Sequence, residues 1–414
     1  MEAEVISIGD ELTSGQRLDT NSQWLSRELA ELGVKVVQHS TVADDLARNV
    51  SALRAAANGA DVVVITGGLG PTQDDLTRQA MAEAFNRELQ LDQQSLRRIE
   101  AMFKTRKREM PERNRVQAMF PRGSSAIPNP HGTAPGVDLQ MDEPECRLFA
   151  LPGVPAEMKQ MWRDTVAPNI DAMANKRLGG GSLPPLRFFA LKAFGIGESD
   201  VEVRLPDLVS RSREPTVGIT VSRATITLRI AGRAHTDEEF QRLIHPTVSE
   251  IQSALGDLVF GSGDDTLQSV VAAQLKETQM SCATIEVGGS SFLGDCFATV
   301  AEKDDTFFRG SMVFRDFESA SRWLGVDENS DPRQLAAALR ERAGADFGLA
   351  VCGYPTKAEM AVGNTTFDIQ IALASRSAAE LETKKLSGHP DVLPARIAKF
   401  GLDSLRRKLL ASTE

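Results

Sequence analysis

The sequence predicts an α/β protein whose N-terminal region folds around a parallel sheet, and three observations carry that prediction. Apolar segments with few polar interruptions alternate with amphipathic ones through residues 1–175. Short motifs rich in glycine and acid follow directly on the apolar segments. Two breaks, a Gly/Pro run at 179–185 and FGSGDD at 260–265, divide the rest of the chain. Strands that are apolar almost throughout are buried on both faces, and when helices separate them the sheet is parallel and covered on both sides.

Residues 3–9, AEVISIG, read as the first buried strand. Residues 21–32 place Trp24, Leu25, Leu29 and Leu32 at helical spacing. VKVVQHSTV at 34–42 reads as a strand, 46–57 as a helix and DVVVITGG at 61–68 as a strand. The segment 74–85 is helical, with the helix expected to start near Thr72. CRLFALPG, ending at Gly153, is a further strand, and AEMKQMWRDTVAPNI after it is helical. These elements make a first domain at 1–175. GGGSLPP at 179–185 reads as a linker. A small α+β domain is expected at 186–257, where ATITLRIAGRA alternates cleanly and HTDEEFQRLIHPTVSEIQSAL carries an acidic first turn suited to the helix dipole. FGSGDD reads as the second break. A last α/β domain at 262–412 runs from an amphipathic helix through SCATIEV, GLAVCGY and TTFDIQIALAS to a basic C-terminal helix.

The chain has 414 residues, of which 41% are hydrophobic and 25% charged, the balance of a globular protein with several cores. Its net charge of −10 argues against a nucleic-acid backbone as partner, which needs an excess of Lys and Arg. Small phosphate ligands remain open, because backbone amides and bound cations hold them without net basic charge. The four cysteines form no CxxC pair, so reduced core thiols are expected rather than a zinc site or disulfides. No basic leader and no apolar run of membrane-spanning length is visible, and the expectation is a cytoplasmic protein without a membrane partner.

Four motifs fall directly after expected strands: GDELTSGQ at 9–16, Asp44-Asp45, TGGLGPTQDD at 66–75 and LPGVPAE at 151–157. In an open parallel sheet the loops after the strand C-termini share one rim, where ligands bind. Gly67, Gly68 and Gly70 allow close approach of backbone to a ligand. Amides of a helix starting near Thr72 favour an anion such as phosphate. Asp74 and Asp75 beside a phosphate repel it unless a hard cation such as Mg²⁺ intervenes. Each piece also has a plainer reading. Thr72-x-x-Asp75 resembles a capping box, Asp44-Asp45 can cap the helix at Leu46, Gly9-Asp10-Glu11 can be a polar turn, and Glu157 can be a first-turn acid. Asn114 and Asn129-Pro130-His131-Gly132-Thr133 are turn-like, and Gly153 sits in a turn on any reading.

ISIGDELTSGQ, TNSQWLSRELAELG, TGGLGPTQDDLTRQA, NRVQAMFPRGSSAIPNPHGTAPGV and LPGVPAEMKQMW resemble successive signatures of the competence/damage-inducible CinA family, and FGIGESDVEVRLPDL resembles its small middle domain. The family's N-terminal domain is similar to the molybdopterin-binding fold. The resemblance implies a metal-dependent pyrophosphatase acting on ADP-ribose or a similar nucleoside diphosphate sugar, with a binding protein for a nucleotide or pterin-like ligand as the alternative. It implies Asp75, Asp44 and Glu157 as catalytic residues and Asp74 and Asp75 as ligands of a divalent ion, Mg²⁺, Co²⁺ or similar. Gly9, Asp10, Glu11, Gly67, Gly68, Gly70, Thr72, Asn114, Gly132, Thr133 and Gly153 would hold the ligand.

The last domain resembles the family's nicotinamide-nucleotide amidohydrolase in outline. That resemblance places a nucleophilic serine after Glu286, where this chain has Val287, and a Tyr and a Lys where it has Arg315 and Ala320. Val offers no nucleophilic atom. Ser290 or Ser291 could be a displaced nucleophile or a helix cap, and Cys282 and Cys296 read as buried thiols. The expectation is a domain that keeps the fold, has lost deamidase chemistry and serves contacts in a homo-oligomer, a dimer. The middle domain's pattern also fits a KH-like module, but Gly195-Ile196-Gly197-Glu198 is acidic where RNA binding would need basic residues.

Overall fold

The computed structural model describes residues 1–411 other than 211–212, 289–290, 303–304, 328 and 362–364. By contacts the chain divides into two compact units, Met1–Arg187 with Arg233–Phe240, and Phe188–Gly232 with Gln241–Glu414.

The first unit runs β1 (Glu2–Ile8), α1 (Asp10–Thr13), α2 (Thr20–Glu31), β2 (Lys35–Val42), α3 (Leu46–Gly59), β3 (Val62–Thr66), α4 (Thr77–Ala84), β4 (Leu89–Leu91), α5 (Gln93–Thr105), β5 (Met119–Pro121), β6 (Ser124–Ile127), β7 (Gly136–Met141), β8 (Cys146–Leu151), α6 (Pro155–Met161) and α7 (Ala167–Leu178). Its six-stranded sheet has the order β2-β1-β3-β8-β7-β6. The first four strands are parallel, and β7 and β6 add an antiparallel edge that the sequence pattern did not disclose. Alternation along β3 divides its side chains between two cores, as a pleated strand must. Val63 and Ile65 pack with Leu53 and Met81 on one face, and Val62 and Val64 pack with Leu25, Leu29 and Trp162 on the other. The helix expected after Gly153 runs from Pro155 to Leu178 with one wide π turn at Trp162–Val166.

The second unit continues with β9 (Leu186–Phe194), α8 (Glu198–Arg204), β10 (Thr216–Ser222), β11 (Thr225–Arg233), α9 (Asp237–Leu255), β12 (Val259–Ser262), α10 (Leu267–Glu277), β13 (Cys282–Val287), α11 (Phe292–Ala298), β14 (Phe308–Phe314), α12 (Phe317–Leu324), α13 (Pro332–Ala343), β15 (Phe347–Cys352), α14 (Lys357–Ala361), β16 (Phe367–Ala374), β17 (Ala379–Leu386) and α15 (Leu393–Ala411). A four-stranded sheet has the order β10-β11-β9-β12, and a five-stranded one β14-β13-β15-β16-β17. The segment read as a break at 260–265 is half strand: β12 pairs antiparallel with β9. Its glycines masked it, since Gly is depleted in strands. Both segments expected as separate domains, 186–257 and 262–412, lie mainly within this unit. Among the described residues no helix is long and apolar enough to cross a membrane.

Candidate functional site

The rim at the C-terminal ends of β1, β2, β3 and β8 is where the structure gathers the sequence motifs. At its centre the chain leaves β3 through Gly67 and Gly68, both at positive φ (104° and 63°). A Cβ on Gly67 would collide with the carbonyl of Ile8 at the end of β1, so only glycine lets these two strand ends meet. Gly67 donates its amide to Leu151 O at 3.0 Å, and Thr77 Oγ1 donates to Gly67 O at 2.8 Å.

The helix after this loop starts at Thr77, not near Thr72 as expected. The reason is Asp75. Its Oδ1 accepts the Gly70 amide at 2.7 Å, and its Oδ2 accepts the Thr72 amide at 2.8 Å and the Thr72 hydroxyl. That clasp closes residues 70–75 into a turn of their own. The helix forms only where Thr77 donates its amide to Gly68 O. Gly70 is required for the same reason, since a Cβ there would strike the Asp75 carboxylate. Thr72 and Asp75 therefore pair inside the loop rather than as a helix cap, and Asp74 and Asp75 do not lie in a helical first turn. Asp74 is exposed, and its carboxyl is held below the usual carboxylate range by the Thr72 hydroxyl, which it shares with Asp75, and by its own amide.

Two neighbouring loops bring more acid. Gly9 anchors the first by donating to Val42 O at 3.0 Å. Asp10 and Asp44 then exchange bonds: the Asp10 amide donates to Asp44 Oδ2 at 2.9 Å and the Asp44 amide donates to Asp10 Oδ1 at 3.1 Å. Asp45, not Asp44, caps α3, accepting the Arg48 amide at 2.9 Å. The Asp44 carboxyl is pushed above its ordinary value by burial, with the negative charges of Asp10, Asp74 and Glu11 adding to the rise against the bond from Asp10. Asp10, Glu11, Asp44 and Asp74 thus form one electrostatic neighbourhood built from three loops. Beside it, Glu11, Thr66, Gly67, Gly153 and Asn21 line a narrow cleft of about 30 Å³.

The remaining candidates stand apart. Glu157, in the first turn of α6, accepts Asn129 Nδ2 at 2.6 Å. Asn129 also binds the amides of His131 and Gly132 and the carbonyl of Ala134, so Glu157 braces the 129–134 turn. Gly132 and Thr133 line a second, open cleft of about 410 Å³ together with Arg98 and Phe120. Asn114 is buried and donates to Gln117 Oε1 at 2.9 Å, beneath the loop rather than on its surface.

Sequence reasoning missed Asn21 and Arg78. Asn21 Nδ2 reaches Thr66 Oγ1 at 3.2 Å and Gly153 O at 3.0 Å, tying two rim loops together. Its only sequence signal is an amide at the start of α2, a position usually read as capping. Arg78 is buried beneath the glycine loop. Charged residues are expected outside, so nothing in the pattern marked it.

Among the described residues no three His, Cys, Asp or Glu side chains stand together as a metal cage. Asp75 has both oxygens engaged inside its loop. The acid best placed for a cation is Asp74, which is exposed at the rim. Such a site fits a hard ion held by one or two carboxylates with the ligand supplying further oxygens.

In the second unit Glu286 is fully buried and accepts the amides of Leu293 and Gly294, each at 3.1 Å. Burial pushes its carboxyl up. Val287 is buried in β13. Ser290 lies outside the described residues, and Ser291 Oγ bonds Asp295 Oδ2 at 3.3 Å. Arg315 is exposed beside Asp316, and Ala320 is buried in α12. Burial raises the thiols of Cys282, Cys296 and Cys352 away from the reactive thiolate form.

A parallel-rich sheet with a glycine loop and rim carboxylates places the first unit with molybdopterin-binding-like domains, and residues 4–172 match the model of the probable molybdopterin binding domain. Residues 190–261 match the KH domain of damage-inducible protein CinA. The chain belongs to the CinA family: it is 34% identical over 420 residues to the CinA-like proteins of Dictyoglomus thermophilum and Dictyoglomus turgidum, covering 99% of this chain and 100% of each relative. A crystal structure of CinA from Thermoplasma acidophilum, titled as of unknown function, is 32% identical over 41% of this chain and 97% of its own, with a TM-score of 0.38.

Proposed function

We propose that the first unit hydrolyses the phosphoanhydride of a nucleoside diphosphate sugar such as ADP-ribose, with a divalent ion bound at Asp74. The observation that supports this most is the convergence of Asp10, Glu11, Asp44 and Asp74 beside the glycine loop, a charge excess that calls for a cation and a polyanion together. The ion, when bound, would supply charge neutralisation at the phosphoryl oxygens. The chain's own residues do the rest. The Gly67–Gly68 backbone permits close approach of the diphosphate. Asp10 holds Asp44 through the exchanged amide bonds. Asp44, its basicity raised by burial, takes the proton of the attacking water. Water oxygen bonds to one phosphorus as the bridging P–O bond breaks, giving AMP and ribose 5-phosphate. Asp75 acts by fixing the loop, and Glu157 by bracing the 129–134 turn.

Occupied oxygens on Asp75 favour a second reading, a binding protein that holds a nucleotide or pterin-like ligand without turnover. The last domain, with Val287 at the nucleophile position, is proposed to have lost deamidase chemistry and to serve homodimer contacts. Incubating purified protein with ADP-ribose and related nucleoside diphosphates, each with Mg²⁺, Mn²⁺ or Co²⁺, separates the readings. Release of AMP supports hydrolysis. Calorimetric binding without release supports the second reading, and neither result would sink both.

A further inference from the structure

We propose that Arg78 is a positioning residue that locks the glycine loop to the 129–136 segment and sets a fixed positive charge beneath the anion site. Its ligand-binding part rests on the phosphate-binding reading above, whereas its packing part stands on geometry alone.

Arg78 is 3% exposed, in a protein interior where arginine is rare unless paired. Its partners are carbonyls rather than a carboxylate. Nη1 donates to Leu69 O at 2.9 Å and Nη2 donates to Pro135 O at 2.7 Å. The planar guanidinium fork spans both at once, which a lysine ammonium on a flexible stem does not reproduce. Leu69 O also accepts Gln117 Nε2 at 3.4 Å.

The consequence concerns a single peptide unit. The carbonyl of Leu69 is held from below by Arg78, and the amide of Gly70, the other end of that peptide, is held by Asp75 Oδ1. The plane between residues 69 and 70 is pinned at both ends, which fixes how the loop presents its backbone. The second arm carries the same constraint to Pro135, next to Ala134, whose carbonyl accepts Asn129 Nδ2. Asn129 in turn holds Glu157. One side chain therefore connects the loop at the narrow cleft with the turn lining the wider one.

Arg78 remains charged at neutral pH: burial pulls its pKa down to about 10, and nearby Asp75 works against that fall. Its Cζ lies 6.0 Å from the Phe120 ring centroid, and burial keeps water from screening its charge. Beneath the glycine loop, this buried cation offsets the charge of Asp75, which otherwise opposes a phosphate at the loop.

The test compares full-length wild type, Arg78→Met and Arg78→Lys by hydrogen exchange of segments 67–75 and 129–136 and by calorimetric titration of ADP-ribose with Mg²⁺. In Arg78→Met, exchange should rise about ten-fold or more in both segments and affinity should fall by a similar factor, while β13 keeps its protection. Arg78→Lys should restore part of the affinity through its charge and leave 129–136 loosened, a split that a general loss of stability would not give. Wild-type protection of both segments in Arg78→Met overturns the proposal. If that variant does not fold, wild-type protection of both segments in Arg78→Lys overturns it equally. If wild type does not bind ADP-ribose, the proposed function fails, and the exchange measurement still decides the role of Arg78.

Discussion

The turn after β3 and the turn after β13 look alike in sequence, and comparing them shows what separates a site from a scaffold. Each leaves a fully buried central strand through a glycine at positive φ, Gly67 or Gly288, and each uses a carboxylate to satisfy nearby amides. Asp75 serves Gly70 and Thr72, and Glu286 serves Leu293 and Gly294. The difference lies in what is left over. After β3, Asp10, Glu11, Asp44 and Asp74 remain beyond the acid that holds the turn. After β13, the carboxylate is itself buried, and the residue next to it is the buried Val287. A glycine turn acts on ligands only when its neighbours bring more polar groups than the turn consumes.

Substitutions can break or sharpen this contrast. The largest effect is expected from Asp44→Asn, which should lower kcat for ADP-ribose hydrolysis by about 100-fold or more, as removal of a general base does. In the wild type, activity needs ionised Asp44. The rate should therefore fall on acidification as Asp44 takes up a proton, and Asp44→Asn should lose that dependence; the same acid limb in the variant would remove Asp44 as the base. Next comes Asp75→Ala. It deletes the acceptor for two amides and a hydroxyl, and should cost about 2 kcal/mol in chemical denaturation of the first unit, with weaker ligand binding. Unchanged stability would mean the clasp does not hold the loop.

Glu286→Gln probes the other turn. A carboxyl whose folded pKa is raised gives stability fully present below its unfolded value of 4.5 and lost as pH rises through the folded value. Wild type should therefore lose unfolding temperature relative to Glu286→Gln between pH 4.5 and neutrality, and parallel curves would refute this. The smallest effect is expected from Asp45→Ala, about 1 kcal/mol for a lost helix cap, with catalysis intact. A large catalytic defect there would mean the roles of Asp44 and Asp45 are reversed.

Much of this was legible in the chain. Continuous apolar runs marked β1, β3 and β8, because burial on both faces leaves one pattern, whereas the edge strand β2 is largely exposed. Glycines and acids after those runs gave the rim. What escaped has physical causes. The antiparallel strands β6 and β7 flank an Asn-Pro-His-Gly turn that reads as loop, and β7 carries exposed Gln140 among buried residues. The delayed start of α4 depends on side-chain bonds of Asp75 that close a competing turn, which periodicity does not record. Arg78 sits in a short helix among alanines, and only tertiary packing places it inside.

The two acid doublets share a division of labour. In Asp44-Asp45 the second residue ties down the following helix, and in Asp74-Asp75 the second ties down its own loop. The first residue of each pair is thereby aimed at the rim. The order of two chemically identical side chains carries meaning here. Shortening either loop by one residue would hand the tether to the wrong aspartate, and this would disarm the rim while leaving composition and net charge almost untouched.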